Sequence, residues 1–335
     1  MPDEYCLYSD RSWPTEAMSD EHVFPDALGG SRDFMIRANA EVNSKVSDLA
    51  EREVINNPIL ETLRFEGRVK GKKRRFDELR LREFSLGGTP MPEFTACVRA
   101  DGIELRPRKP LRSAGPNAYR FLAKDEEEVE RRRKEIEEST GDSVHVAHVQ
   151  EVQLPKGGLQ SVQTITPAGL IRFFAKIALA GTYKIVGEPF RASAGADALR
   201  ALVLDGTTLP SDYSVRLFAA SSELTNWGMT HPSARAGSEI GRFTYADHLR
   251  SSHVFCLERT GNGIRAWVGI FGFFGFCVDV MSIDPFALTT DSRGFFVIND
   301  WSSKRAQWTT LSHVEEQVAP LSELFKVVLA KFEAP

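Results

Sequence analysis

The chain has 335 residues, of which 42% are hydrophobic and 26% charged, the make-up of an ordinary globular protein long enough for two or three domains with their own cores, so disorder is not the expectation. Its net charge of -4 excludes a molecule coated in positive surface, so any contact with nucleic acid has to come from local basic patches. The cysteines Cys6, Cys97, Cys256 and Cys277 share no ligand or scaffold spacing, and the first residues lack the basic start and apolar core of a signal peptide, so a soluble cytoplasmic protein is expected.

In chain order, residues 1–60 predict an extended entry, a hairpin turning at Leu28-Gly29-Gly30-Ser31, a second strand over 34–37 and a helix over 39–55. Asn39 is a fitting N-cap, and Val42, Val46, Leu49, Ala50 and Glu53 fall at helical spacing, with Asn43 and Ser47 together on another face. Asn56-Asn57-Pro58 ends that helix, because a residue before proline is pushed out of the helical region. The next segment, 61–155, alternates as strands at 63–69, 94–99 and 103–106, carries a polar helix from Asp125 to Ser139, and returns to strand at 144–149. Acids lead and bases follow in that helix, which matches the helix dipole and marks a solvated surface element.

The third segment, 156–335, opens with Thr166 as N-cap and Pro167 at the first helical position. Leu170, Ile171, Phe173, Phe174, Ile177 and Ala178 give this helix a broad apolar face, which is core. Strands are expected at 215–220, 253–259 and 265–280, with Thr260-Gly261-Asn262-Gly263 as a hairpin turn, and a helix from Leu321 to Phe332 closes the chain. The apolar run from Trp267 to Met281 is interrupted by glycines and an Asp and falls short of the roughly 20 residues of a membrane span, so it is buried strand. The whole is α+β.

Chemistry concentrates in Asp20-Glu21-His22-Val23-Phe24-Pro25-Asp26-Ala27-Leu28-Gly29-Gly30, followed by Asn43-Ser44-Lys45-Val46-Ser47-Asp48. A histidine next to an acid, with an amide on the following helix, has the parts of a one-metal nuclease. The histidine deprotonates water, and the carboxylate and amide oxygen hold a hard cation that stabilises charge on a phosphate. The string Glu-His-x-x-Pro-x-x-Leu-Gly-Gly, with the downstream Asn and Asp, resembles divergent members of the HNH endonuclease superfamily over about residues 5–60.

That resemblance implies an N-terminal ββα-metal module followed by a larger mixed α+β region, with His22 as general base and Glu21 and Asn43 as metal ligands. Adjacent strand residues point to opposite sides, so Asp20 is a substitute for Glu21. Magnesium or manganese is implied, since the ligands are oxygens. Many relatives also clamp the hairpin with two Cys-x-x-Cys pairs. Here only Cys6 remains, so no structural zinc is expected, and Val42, Val46 and Leu49 are expected to hold the module by packing. Asp48 matches the family's trailing acid, although its position round the helix suits a surface ion pair with Lys45 or Arg52 better. Relatives also carry a helix similar to Ala175-Lys176-Ile177-Ala178.

Lys70, Lys72, Lys73, Arg74 and Arg75 lie in the densest run of positive charge, which either grips a nucleic-acid backbone or solubilises an edge strand. The expected protein is a metal-dependent HNH-type endonuclease acting on nucleic acid, DNA by resemblance, with 1–60 as the nuclease module, 61–155 as a strand-rich segment and 156–335 as a domain for target recognition or regulation. The alternative is a catalytically inactive relative that binds nucleic acid or a signal molecule. No membrane partner is expected, and the oligomeric state stays open.

Overall fold

The computed structural model describes residues 2–69, 78–99, 102–108, 111–112, 119–120, 123, 125–141, 143–145, 159–161, 166–206, 215–219, 252–260, 263–271, 274–282 and 294–310. It is α+β, with helices segregated from antiparallel sheets. The chain forms two compact units. Met1–Arg75 joins Ile165–Pro335 in the first, and Phe76–Thr164 forms the second. This grouping differs from the division at about residues 60 and 155 expected from sequence. The reason is burial: the N-terminal hairpin has one apolar side, which it covers with elements more than 120 residues downstream.

The first unit starts with two hairpins, β1 (Asp3–Cys6) with β2 (Arg11–Pro14), and β3 (Met18–His22) with β4 (Met35–Asn39). Helix α1 (Ala40–Val46) follows directly, its first turn capped by Asn39 Oδ1, which accepts from Val42 N at 3.1 Å. One π turn, Ser47–Glu51, then leads into α2 (Arg52–Ile55). The extra residue in that turn rotates the inward face, so Ala50, Glu51 and Val54 are buried while Glu53 is exposed.

The strand expected at 63–69 is instead mostly helix. Asn57 Oδ1 accepts from Ile59 N at 2.9 Å and Pro58 occupies the first turn, so Asn57-Pro58 both ends one helix and starts the next, α3 (Pro58–Glu66). Leu60 is buried, and Ile59 and Leu63 pack beside it, a helical spacing that outweighs the local alternation.

In the second unit, β5 (Leu79–Leu81), β8 (Phe94–Arg99) and β9 (Gly102–Pro107) make an antiparallel sheet, and β6 (Ser85–Leu86), β7 (Thr89–Pro90) and β12 (Leu159–Gln160) a smaller one. A short pair, β10 (Leu111–Arg112) with β11 (Tyr119–Arg120), and helix α4 (Glu126–Thr140) complete it. Asp125 caps α4, accepting from Glu128 N at 2.8 Å. Of the strand expected at 144–149, Val144 and His145 are not in strand and the rest lies outside the described residues.

The first unit resumes with α5 (Pro167–Val186), α6 (Glu188–Arg191) and α7 (Ala194–Asp205). A six-stranded antiparallel sheet comes next: β13 (Val215–Ala219), β14 (Ser252–Thr260), β15 (Gly263–Ile270), β16 (Phe274–Met281), β17 (Gly294–Asp300) and β18 (Arg305–Thr310), in the order β13-β16-β15-β14-β17-β18. The run expected as one strand over 265–280 is two strands, turning where Phe271 adopts φ +58. The pairing Thr260↔Gly263 brackets the expected two-residue turn.

The core lies between α5 and this sheet. Phe174 stacks on Phe276 with ring centroids 5.5 Å apart, and a Cβ at Gly181 would stand 2.5 Å from the Phe255 ring, so the helix backbone itself touches the sheet. The N-terminal hairpin closes one side through Phe24, Phe34 and Ile36. Among the described residues no helix is long and apolar enough to cross a membrane. The helix expected over 321–332 lies outside the described residues.

Candidate functional site

Strands β3 and β4 pair Glu21 with Ile36 and His22 with Met35. Side chains alternate across a strand, so Glu21 and Ile36 share the buried side while His22 and Met35 share the other, where both are half-buried. After His22 the chain buries Val23, Phe24 and Pro25, makes a single 3-10 turn over Asp26–Leu28, and folds back so that Gly30 N reaches Pro25 O at 3.1 Å.

Both glycines of the motif are required by close approach. A Cβ at Gly30 would lie 1.8 Å from Phe24 O, and one at Gly29, whose φ is +83, would lie 2.4 Å from Trp301 Cβ. This tight loop brings the Ser31 carbonyl to 3.0 Å from His22 Nδ1. A carbonyl only accepts, so Nδ1 carries a proton, and in the neutral ring Nε2 then presents a lone pair. Nε2 has no hydrogen-bond partner among the described residues. That is the protonation pattern a general base needs.

Behind the hairpin sits a buried charge cluster. Asn43, on α1, donates from Nδ2 to Glu21 Oε2 at 2.8 Å, and its Oδ1 is buried without a partner. Lys176, from the middle of α5, is 0% exposed. Its ammonium contacts the Glu21 carboxylate at Oε1, pairs with Glu51 Oε1 at 2.8 Å and donates to the His22 carbonyl at 2.8 Å. The ammonium thus stands among three oxygens from two segments of the N-terminal region, hydrogen-bonded to the His22 carbonyl and ion-paired to the two carboxylates.

Burial alone would lower the Lys176 pKa, but Glu21 and Glu51 outweigh it and hold the ammonium well above its ordinary value. Burial pushes the Glu51 carboxyl up, with Lys176 opposing and Glu21 assisting. Tyr8, whose hydroxyl is buried without a partner, has its phenol pushed well up by burial. Sequence reasoning noted Lys176 only within a family likeness and passed over Glu51. The available signal was a lysine inside an apolar face between Phe174 and Ile177, a position that demands an acid opposite.

The other expected residues are less central. Asp20 is exposed and bonded to Arg37 at 3.0 Å, and Asp48 is exposed and paired with Arg52 at 3.5 Å, both surface ion pairs. Lys70, Lys72, Lys73, Arg74 and Arg75 lie outside the described residues. Cys6 is buried as a free thiol, Val46 is buried and Val42 packs against the core, while Leu49 is only half-buried.

Among the described residues no three of the His, Cys, Asp and Glu side chains gather to hold a metal ion. Magnesium usually keeps several waters and takes one or two protein ligands, so the fit rests on individual donors. The unpartnered, buried Oδ1 of Asn43 is a hard acceptor without a hydrogen, and Glu21 retains lone pairs beyond those used by Lys176 and Asn43. Both are oxygen donors of the hard type that a divalent cation of the magnesium class takes.

No family model, no curated protein and no solved structure matches this chain.

Proposed function

We propose that this protein is a metal-dependent endonuclease of HNH type that hydrolyses phosphodiester bonds of nucleic acid, DNA before RNA. The observation that carries the reading is the geometry at His22: Nδ1 is tied to the Ser31 carbonyl at 3.0 Å, which in the neutral ring leaves the lone pair on Nε2. In this reading Nε2 takes the proton of a water that attacks phosphorus, and the loop from Pro25 to Ser31 keeps the ring from turning. Glu21 and Asn43 would hold magnesium or manganese, which supplies charge stabilisation at the phosphate. Lys176 is ion-paired to Glu21 and fixes its carboxylate, the part an outer partner plays behind a ligand. The basic run Lys70, Lys72, Lys73, Arg74 and Arg75 would track the backbone without reading sequence.

A second reading, nucleic-acid binding without cleavage, is favoured by one observation: each carboxylate oxygen of Glu21 already has a partner inside the protein. The two readings part in one assay. The full chain is incubated with plasmid and single-stranded DNA in magnesium or manganese, with and without chelator, beside His22→Ala. Chelator-sensitive cleavage that His22→Ala lacks supports the enzyme. Retention of DNA on a gel shift with no cleavage under any metal supports the binder.

A further inference from the structure

Two polar side chains interrupt the apolar side of the large sheet, and both reach the same loop. His253 on β14 and Asn299 on β17 are direct cross-strand partners, and each is 0% exposed. His253 donates from Nε2 to Leu28 O at 2.8 Å. Asn299 Oδ1 accepts from Ser31 N at 2.6 Å, and its Nδ2 donates to Gly29 O at 3.2 Å. Lys304, just past β17, adds an ion pair to Asp26 at 2.9 Å. A buried amide in a strand costs stability unless both ends are bonded, and here both ends are spent on main-chain groups of the loop that carries the motif glycines.

Ser31 is the point where this network meets the chemistry. Asn299 holds its N–H, and its carbonyl accepts from His22 Nδ1. Ser31 is itself 1% exposed, and its side chain is turned to Asp33 N at 2.9 Å, so neither main-chain group has water as a substitute. The position of that one carbonyl decides which ring nitrogen of His22 carries the proton.

We propose that Asn299 is a positioning residue for His22, acting through Ser31 to hold the imidazole in its Nδ1–H form with Nε2 open. This rests on the reading of His22 as the general base. His253, whose hydrogen bond to the same loop goes to Leu28 O, secures the fold of the loop without setting the tautomer.

The test uses the full chain labelled with 15N-histidine, in which two-bond 1H–15N spectra report the tautomer of each ring and His22→Ala assigns the His22 signals. The expected wild-type state is Nδ1–H. Asn299→Ala should turn it into a mixture of tautomers and lower kcat on plasmid DNA by roughly 10- to 100-fold, the range for loss of a histidine's outer partner, with KM unchanged. His253→Gln should lower the melting temperature and leave the tautomer alone, whereas a merely structural role for Asn299 would make the two variants behave alike.

If Asn299→Ala does not fold, Asn299→Asp takes its place. It keeps an acceptor for Ser31 N–H and loses the donor to Gly29 O, so His22 should remain Nδ1–H. A wild-type His22 in another state, an Asn299→Ala spectrum identical to wild type, or a changed tautomer in Asn299→Asp overturns the proposal. A tautomer shift in a protein that never cleaves DNA leaves the positioning role standing and removes the nuclease reading. Cleavage with an unmoved tautomer does the reverse.

Discussion

Replacing Lys176 with methionine keeps the length and packing of the side chain and removes only its ammonium. In the native protein that ammonium is wholly buried and lies against Glu21 and Glu51, whose side chains are 11% and 12% exposed. Without it two carboxylates face each other in the core, and breaking a buried pair from one side typically costs about 3–5 kcal/mol. The protein has an alternative, which is to protonate one carboxyl. From an ordinary glutamate pKa near 4.3, at about 1.36 kcal/mol per unit, that costs roughly 3.7 kcal/mol at pH 7 and roughly 1 kcal/mol at pH 5. The loss at pH 7 should therefore be about 3–4 kcal/mol and should shrink by more than half at pH 5. The sign follows from linkage: the folded variant holds a proton that the unfolded chain has released, so its stability falls as pH rises through that window. Urea unfolding of both proteins at pH 5 and pH 7, followed by tryptophan fluorescence, measures the difference. A loss under about 0.5 kcal/mol at pH 7, the scale of a neutral surface change, would refute the reasoning, as would an equal loss at both pH values.

His22→Ala should cut metal-dependent cleavage by about 10²–10⁴-fold while the melting temperature stays within a degree or two, because a half-buried strand-end histidine with one hydrogen bond contributes little to stability. Gly30→Ala should destabilise the protein by about 1–3 kcal/mol or more, since the new methyl meets Phe24 O, a backbone atom that cannot turn aside; unfolding curves matching wild type would count against the loop geometry. Burial pushes His253 down to about 4 from 6.5, so it contributes stability above pH 6.5 that is lost as pH falls towards 4, roughly 3 kcal/mol in all; His253→Gln should flatten that part of the stability profile. Neutralising Lys70, Lys72, Lys73, Arg74 and Arg75 together should weaken DNA binding across all sequences and reduce its salt slope by roughly one for each phosphate the run had neutralised; an unchanged slope would make the run a solubilising edge.

What sequence reasoning could reach depended on distance along the chain. The hairpin, the Asn39 and Thr166 caps, and the long apolar helix are written in neighbouring residues, and each is observed. Asn57-Pro58 misled because the same dipeptide that stops one helix caps another, and only the burial of Leu60 decides between them. The π turn after α1 shifted the inward face by a residue, so attention went to Glu53 when Glu51 was the buried acid. His253 and Asn299 carry no local pattern at all, and Lys176 signals locally only that an acid must face it, without saying which. Their partners, Glu21, Leu28 and Ser31, lie 150 or more residues away, and a single sequence contains nothing that couples such positions.

The bond between Ser31 and Asn299 spans 268 residues, which gives the molecule a timetable. The hairpin with the motif histidine leaves the ribosome 268 residues ahead of the amide that fixes its loop. At about 5–20 residues per second, synthesis leaves the first waiting on the order of half a minute for the second. During that interval the Glu-His string exists as chain but not as a site. Placement of the His22 ring is thus tied to translation having reached Asn299, and a fragment released before that point carries the motif without its clamp.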